Sequence, residues 1–259
     1  MNKTPIGIFD SGLGGLAITR ELRKHFPNED FIYLADAKYC PYGTKTNEEI
    51  KGYVTRITSY FVGRDVKGIV IACNTATANS NHLTLSIPVI GMIEPTCYEV
   101  SKTTKNKKVL VIATSATVRS NYYSKYLAQY GIKPTELACQ KFVTLVEEMQ
   151  IGQESAQKVV TAKLKPYVKK DIDTIVLGCT HFGFLKEEIK NVLGNEIIQI
   201  DGSKEVANRL KEELLESKRL NDGNHQGTTT LITTGDFAVF EKAVKKLGIE
   251  YDKITKIDI

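Results

Sequence analysis

Two cysteines in this chain stand in matching settings. Cys73, in Ala72-Cys73-Asn74-Thr75, and Cys179, in Gly178-Cys179-Thr180-His181, each follow a short apolar, β-branched run: Ile69-Val70-Ile71 in one case, Ile175-Val176-Leu177 in the other. Small polar residues that suit a helix entry come next. A thiol between a buried strand and a helix amino terminus has its pKa drawn down toward neutrality, so a thiolate there acts as a base and a thiol as an acid. Two such groups facing each other across a cleft are what proton exchange at a stereocentre requires. One takes an α-proton from one face while the other delivers a proton to the opposite face.

That chemistry needs a supporting cast. Backbone donors and hydroxyls must hold a carboxylate and favour an enediolate-like transition state, which Asn74, Thr75 and Thr180 are placed to do, and Asp10 and Ser11 offer acceptors for an ammonium. His181 in isolation reads as a helix-start or packing histidine; beside an acid/base thiol it would take the thiol proton or orient the group. Glu147 reads as a surface helix acid, and Tyr42-Gly43 after Pro41 as a turn first and a ligand-facing loop second. Cys40, Cys97 and Cys139 are assigned to packing, where buried cysteine behaves as a small hydrophobe.

The elements that would position these groups alternate. Strands are predicted at 6–9, 31–35, 68–72, 88–92, 109–113, 136–138, 174–177, 197–200 and 229–233. Helices are predicted at 16–25, 47–64, 75–82, 120–129, 155–168, 186–193, 205–215 and 237–247. Alternation of this kind means a parallel sheet covered by helices on both faces. The pattern restarts at 109–113, whose following Thr114-Ser115-Ala116-Thr117 holds the place of Asp10-Ser11 in the first half. The expectation is an α/β chain of two similar lobes, each a mostly parallel sheet flanked by helices, related by a pseudo-twofold axis with the active site in the cleft between them. The first lobe would take residues 1–97, completed by 208–259 after a polar linker at 223–227, and the second lobe 98–207.

Composition bounds the alternatives. With 259 residues, 42% of them hydrophobic and 25% charged, this is an ordinary globular chain. A net charge of +5 comes from scattered lysine clusters, such as 105–108, 163–170 and 242–246. No basic stripe with interleaved aromatics accompanies them, so nucleic acid is not an expected partner. No apolar run reaches a membrane span, and Met1 to Pro5 lack a signal peptide's basic and apolar regions, so the expected location is cytoplasmic. Five cysteines without a C-x-x-C pair imply reduced thiols rather than a disulfide framework. The spacing of His25, His82, His181 and His225 offers no structural zinc site. Gly12-Leu13-Gly14-Gly15-Leu16-Ala17 satisfies a relaxed dinucleotide fingerprint, with Asp36 near the place of a ribose-binding acid. Asp10 immediately before that turn would face the pyrophosphate with a negative charge, which counts against it.

Several motifs together resemble the glutamate racemases of the aspartate/glutamate racemase superfamily. They are Ile6-Gly7-Ile8-Phe9-Asp10-Ser11-Gly12-Leu13-Gly14-Gly15-Leu16, Pro41-Tyr42-Gly43, Ala72-Cys73-Asn74-Thr75-Ala76, Pro88-Val89-Ile90-Gly91-Met92-Ile93-Glu94-Pro95, Ala113-Thr114 with Thr117-Val118, Phe142-Val143 with Leu145-Val146-Glu147, and Leu177-Gly178-Cys179-Thr180-His181. They occur in family order over about residues 6–201. The resemblance implies a two-base enzyme that interconverts L- and D-glutamate without cofactor or metal and supplies D-glutamate for peptidoglycan. It further implies that Cys73 and Cys179 are the acid/base thiols, Asp10 assisting Cys73, and His181, held by Glu147, assisting Cys179. Substrate contacts would be Asp10, Ser11, Tyr42, Gly43, Asn74, Thr75, Thr180 and His181, with Thr114 and Thr117 as further carboxylate ligands. Family members often pair, so a homodimer is the assembly to test. The alternatives are an aspartate racemase or related isomerase, or a non-catalytic protein that binds a small ligand in the same cleft. The chain departs from the family pattern at Gly183, where proline is common, at Thr144, also commonly proline, and at Met149-Gln150, where glycine is expected.

Overall fold

The computed structural model describes residues 4–168, 170–221, 223 and 225–259. Residues 1–3, position 169 of the 163–170 lysine cluster and position 224 of the linker therefore lie outside the described residues. Among the described residues ten strands form two sheets, parallel throughout. They are β1 (Ile6–Asp10), β2 (Phe31–Ala35), β3 (Gly68–Ile71), β4 (Val89–Gly91), β5 (Val109–Ala113), β6 (Thr135–Ala138), β7 (Thr174–Gly178), β8 (Ile198–Ile200), β9 (Thr229–Thr233) and β10 (Lys253–Lys256). The first sheet runs β10-β9-β2-β1-β3-β4 and the second β6-β5-β7-β8.

The shared order explains the echo between the two cysteine motifs. In the first sheet β1 lies between β2 and β3; in the second β5 lies between β6 and β7. The chain changes direction across the sheet at those two strands, and such a switch point leaves a crevice outside the carboxyl ends where ligands collect. Asp10 closes β1, Thr114 follows β5, and Cys73 and Cys179 follow β3 and β7, so all four stand at those edges.

Each sheet is buried on both faces because its strands alternate apolar residues on both sides. Ile6 and Ile8 pack with Leu16, Leu22, Val206, Leu210 and Phe240, whereas Phe9 joins Ile50, Val54, Ile57, Phe61, Ile69 and Ile71 on the opposite face. In the second sheet Leu110, Ile112, Ile175 and Leu177 meet Phe142, Val146, Val160 and Ile189. Val109, Val111 and Val176 meet Ile93, Cys97, Val100, Tyr123 and Leu127 on the other face.

Several elements differ from the sequence expectation, three of them at the site or at the expected lobe boundaries. The helix predicted at 75–82 is a single turn, Asn74–Thr77, capped by Cys73, whose Sγ accepts from the Ala76 N–H at 3.5 Å. Cys179 is followed by a 3-10 segment, Thr180–Leu185, before the helix Lys186–Leu193 begins. A helix at Ile93–Thr103 carries Pro95 in its first turn, where a missing N–H costs nothing; the boundary expected between 97 and 98 falls inside it. The boundary expected between 207 and 208 falls inside the helix Ser203–Glu216.

The carboxyl-terminal segment hydrogen-bonds to one member of a buried ion pair beneath the first sheet. Glu29 and Lys67, 2% and 1% exposed as side chains, form it, and Glu29 Oε1 accepts from the Asn221 N–H at 2.7 Å. Lys67→Met leaves that carboxylate buried beside an apolar group, so it should destabilise the protein by about 3–5 kcal/mol in urea unfolding; an unchanged midpoint would contradict this account of the pair.

Candidate active site

The two crevices face each other. Ser11, Tyr42, Gly43, Cys73, Asn74, Thr75, Thr114, Cys179, Thr180 and His181 line one small cavity of about 10 Å³, roughly the room that one water needs. Asp10, Glu147 and Thr117, the remaining residues expected at the site, stand directly behind this lining. A larger cavity of about 540 Å³ opens beside Tyr98, Tyr122 and Arg209, and none of the expected site residues lines it.

The glycine loop after β1 is where the second lobe enters the first. Asp10 Oδ1 accepts from the Gly12 N–H and its Oδ2 from the Thr180 hydroxyl, both at 2.9 Å. The Leu13 N–H donates to Glu147 Oε1 at 3.0 Å. A Cβ on Gly12 would lie 2.3 Å from that oxygen, and one on Gly14 would lie 2.3 Å from Thr180 Oγ1 and 2.7 Å from the His181 backbone nitrogen. These glycines therefore make room for side chains of the other lobe. Two of the loop's N–H groups, those of Gly12 and Leu13, are already engaged by carboxylates, whose negative charge opposes a pyrophosphate there. Asp36 is unavailable to a ribose as well: it is fully buried and accepts from Tyr42 (2.5 Å), Arg56 (2.7 Å) and Thr234 (2.8 Å). Tyr42 thus spends its hydroxyl on Asp36 while its residue lines the cavity.

Around Cys179 the charges are paired. Its Sγ lies 3.6 Å from His181 Nδ1, and His181 Nε2 lies 2.5 Å from Glu147 Oε1. Burial opposes charge on the imidazole, but Cys179 and Glu147 outweigh it and hold the His181 pKa well above the usual histidine value. Burial likewise pushes Glu147 up, yet the hydrogen bond and charge of His181, with the donors of Leu13 and Cys40, hold it below the ordinary carboxylate range. Both shifts favour an imidazolium against a carboxylate.

Around Cys73 burial dominates. The thiol is pushed up to about 12, first by burial and then by the charge of Asp10, although the Ala76 N–H and Ser11 pull the other way. Here the expectation of a lowered pKa is corrected: one helical turn supplies too few donors to offset the loss of water. Asp10 is raised too, by its complete burial, against the lowering pull of His181, Gly12 and Thr180.

Hydroxyls and an amide cross the cleft. Thr75 Oγ1 lies 2.8 Å from Thr114 Oγ1 and 3.0 Å from Thr117 Oγ1, and those two are 2.9 Å apart. Gly43 is pressed close to Thr114 and Gln140, whose atoms a Cβ would meet at 2.6 and 2.4 Å. The Tyr123 hydroxyl donates to Asn74 Oδ1 at 2.7 Å, which turns the Asn74 amide nitrogen away from Tyr123. Val143, part of a motif quoted from the sequence but given no role, lines the cavity wall. Sequence reasoning missed Tyr123 and Cys40, whose thiol donates to Glu147 Oε1 at 3.7 Å. No local signal marks these contacts, because their partners lie in the other lobe.

The sequence profile of the Asp/Glu/hydantoin racemases matches residues 6–210. The glutamate racemase of Clostridium novyi is 38% identical over 257 residues, 96% of this chain and 99% of that protein. A crystal structure of glutamate racemase isoform RacE1 from Bacillus anthracis superposes with a TM-score of 0.94 at 33% identity, covering 100% of this chain and 99% of the other. A Francisella tularensis glutamate racemase solved in complex with D-glutamate superposes at 0.90 with 31% identity, covering 100% and 98%.

The His181–Glu147 pair sets a pH signature. Glu147, lowered from 4.5, contributes stability that is complete above about that pH and fades as pH falls through its folded value. His181, raised from 6.5, contributes stability that is complete below that pH and is lost as pH rises toward its elevated value. Glu147→Gln should therefore cost most between these two values, about 1–3 kcal/mol, and progressively less on either side, measured by urea unfolding across pH. A penalty that is flat with pH would contradict the ion pair.

Proposed function

The chain belongs to the Asp/Glu/hydantoin racemase family, and from that premise we propose that it interconverts L- and D-glutamate, the D-isomer being a peptidoglycan constituent. The observation that carries the reading is the pair of buried cysteines lining one cavity, each at the carboxyl end of the third strand of its half. Among the described residues no helix is long and apolar enough to cross a membrane.

The two thiols work from opposite faces of the α-carbon. With its proton held by burial, Cys73 is the acid of the L-to-D direction: Cys179 takes the α-proton of L-glutamate, and the Cys73 thiol delivers its own to the other face. The reverse direction exchanges the roles. His181, steadied by Glu147, is the charge partner of Cys179, and Asp10 stands near Cys73 as the acid that assists it. The α-carboxylate develops negative charge as the proton leaves, and the Asn74 amide with the hydroxyls of Thr75, Thr114 and Thr180 surrounds the place where it would lie; Thr117 supports that cluster from behind. Ser11 and Asp10 accept from the ammonium, and Tyr42-Gly43 closes the cleft. Donors already arranged for the developing charge need no reorganisation at the moment of reaction.

Glutamate does not fit a cavity of about 10 Å³, so this is a closed form and the lobes part to admit substrate. The two moving bodies would be the two sheets with their covering helices, the division lying beside the helices Ile93–Thr103 and Ser203–Glu216 rather than at 97/98 and 207/208, which fall inside them.

A circular-dichroism time course on L-glutamate should fall to zero as the racemate forms, with L-aspartate left unchanged; racemisation of aspartate instead would favour the related isomerase. Cys73→Ala and Cys179→Ala should each lower the rate by about 10²–10⁴-fold or more, and full activity in either would sink the two-thiol reading. Glutamate binding without any turnover would favour a non-catalytic binding protein.

A further inference from the structure

One corner of the site holds a group that proton transfer does not use. Cys40 lies in the loop after β2, and its Sγ is 3.7 Å from Glu147 Oε1, the oxygen that also meets His181 Nε2. The ligand atoms of Cys40, Glu147 and His181 all lie within 4.8 Å of one another. They come from three separate elements, so no spacing in the sequence announces them. Gly12 leaves the space in which they gather: a Cβ there would stand 2.3 Å from Glu147 Oε1 and 2.9 Å from Cys40 Sγ. Glu147 is 29% exposed as a side chain and Cys40 is partly exposed, so two of the three groups keep some contact with solvent while His181 is buried.

Sulfur, imidazole nitrogen and carboxylate oxygen are the donors that a borderline-soft divalent cation selects. Around a tetrahedral Zn²⁺, with bonds of about 2.0–2.3 Å, neighbouring donors stand roughly 3.3–3.6 Å apart. The Cys40–Glu147 separation of 3.7 Å is already close to that, and the His181–Glu147 contact of 2.5 Å would open by about 1 Å.

We propose that Cys40, Glu147 and His181 form an inhibitory site for Zn²⁺ or a cation of the same class. Binding releases the Cys40 thiol proton and the proton shared by His181 and Glu147, and solvent completes the coordination. With Nε2 on the metal, His181 has Nδ1 alone for exchange with Cys179 and can no longer pass between its charged and neutral forms. The inhibition rests on the role proposed for His181; the binding does not.

The test uses the full-length protein, stripped of metal by a chelator and titrated with Co²⁺ as a spectroscopic stand-in for Zn²⁺. The expected result is one Co²⁺ per chain with a sulfur-to-cobalt charge-transfer band that persists in the Cys73→Ala/Cys179→Ala double variant. That band should disappear in Cys40→Ser and in Cys40→Ala, each verified as folded by far-ultraviolet dichroism. Zn²⁺ should slow racemisation by the unsubstituted protein, and Cys40→Ser should need at least about tenfold more of it for the same effect, since loss of even an outer partner weakens metal sites about 10–100-fold. A band absent from the unsubstituted protein, or kept in Cys40→Ser and lost in the double variant, overturns the site. Stoichiometric binding without inhibition overturns the regulatory role. A Cys40-dependent band in a protein that racemises nothing would keep the metal site and remove the functional reading instead.

Discussion

The site depends on one contact between lobes: the turn after β1 receives the Thr180-His181 segment and Glu147. Thr180 donates to Asp10, Glu147 accepts from Leu13, and Gly12 and Gly14 leave the space in which this happens. Without that approach Cys73 and Cys179 would be two strand-end cysteines on separate sheets. With it they share a cavity too small for more than about one water. Each thiol has its neighbour from its own lobe, His181 beside Cys179 and Asp10 near Cys73, and the contact brings the two sets to one cavity.

The symmetry of the fold does not extend to the charges. Both sheets repeat one strand order, and both cysteines occupy equivalent positions in it. Cys179 nevertheless sits by an imidazolium that a carboxylate holds in place, whereas Cys73 sits by Asp10, an acid whose own pKa is raised by burial. The proposed exchange on opposite faces of one carbon uses two acid/base groups, one giving a proton as the other takes one. Unequal surroundings hold the proton on Cys73. They also explain why a lowered pKa, expected for both thiols from local sequence, fails at Cys73: a single helical turn is weaker than complete burial.

What was legible in the sequence was what depends on neighbours in the chain. Continuous apolar runs such as Val109-Leu110-Val111-Ile112 mark strands buried on both faces, and the cysteines after two of them stood out for that reason. The edge strand β10 was not legible, because Lys253-Ile254-Thr255-Lys256 is half exposed and guarded by lysines in the manner of an edge. The helix Ile93–Thr103 hid behind Pro95. In the site, Cys40 and Tyr123 were invisible because their partners, Glu147 and Asn74, lie 107 and 49 residues away. Met149, standing where relatives were expected to carry glycine, adopts a φ of 55°, the left-handed conformation that glycine takes most easily. Gly183, in place of proline, has open space around it; nothing in the structure explains the threonine at 144.

The central claim is that two separate groups serve the two faces of the α-carbon, and isotope incorporation in heavy water reads it directly. Starting from L-glutamate and sampling before much has turned over, the account predicts deuterium at the α-carbon of essentially all D-glutamate formed, with the remaining L-glutamate still protiated. Deuterium entering the remaining L-glutamate as fast as the product, or product that keeps its original α-proton, would mean that one group serves both faces, and the account would be wrong.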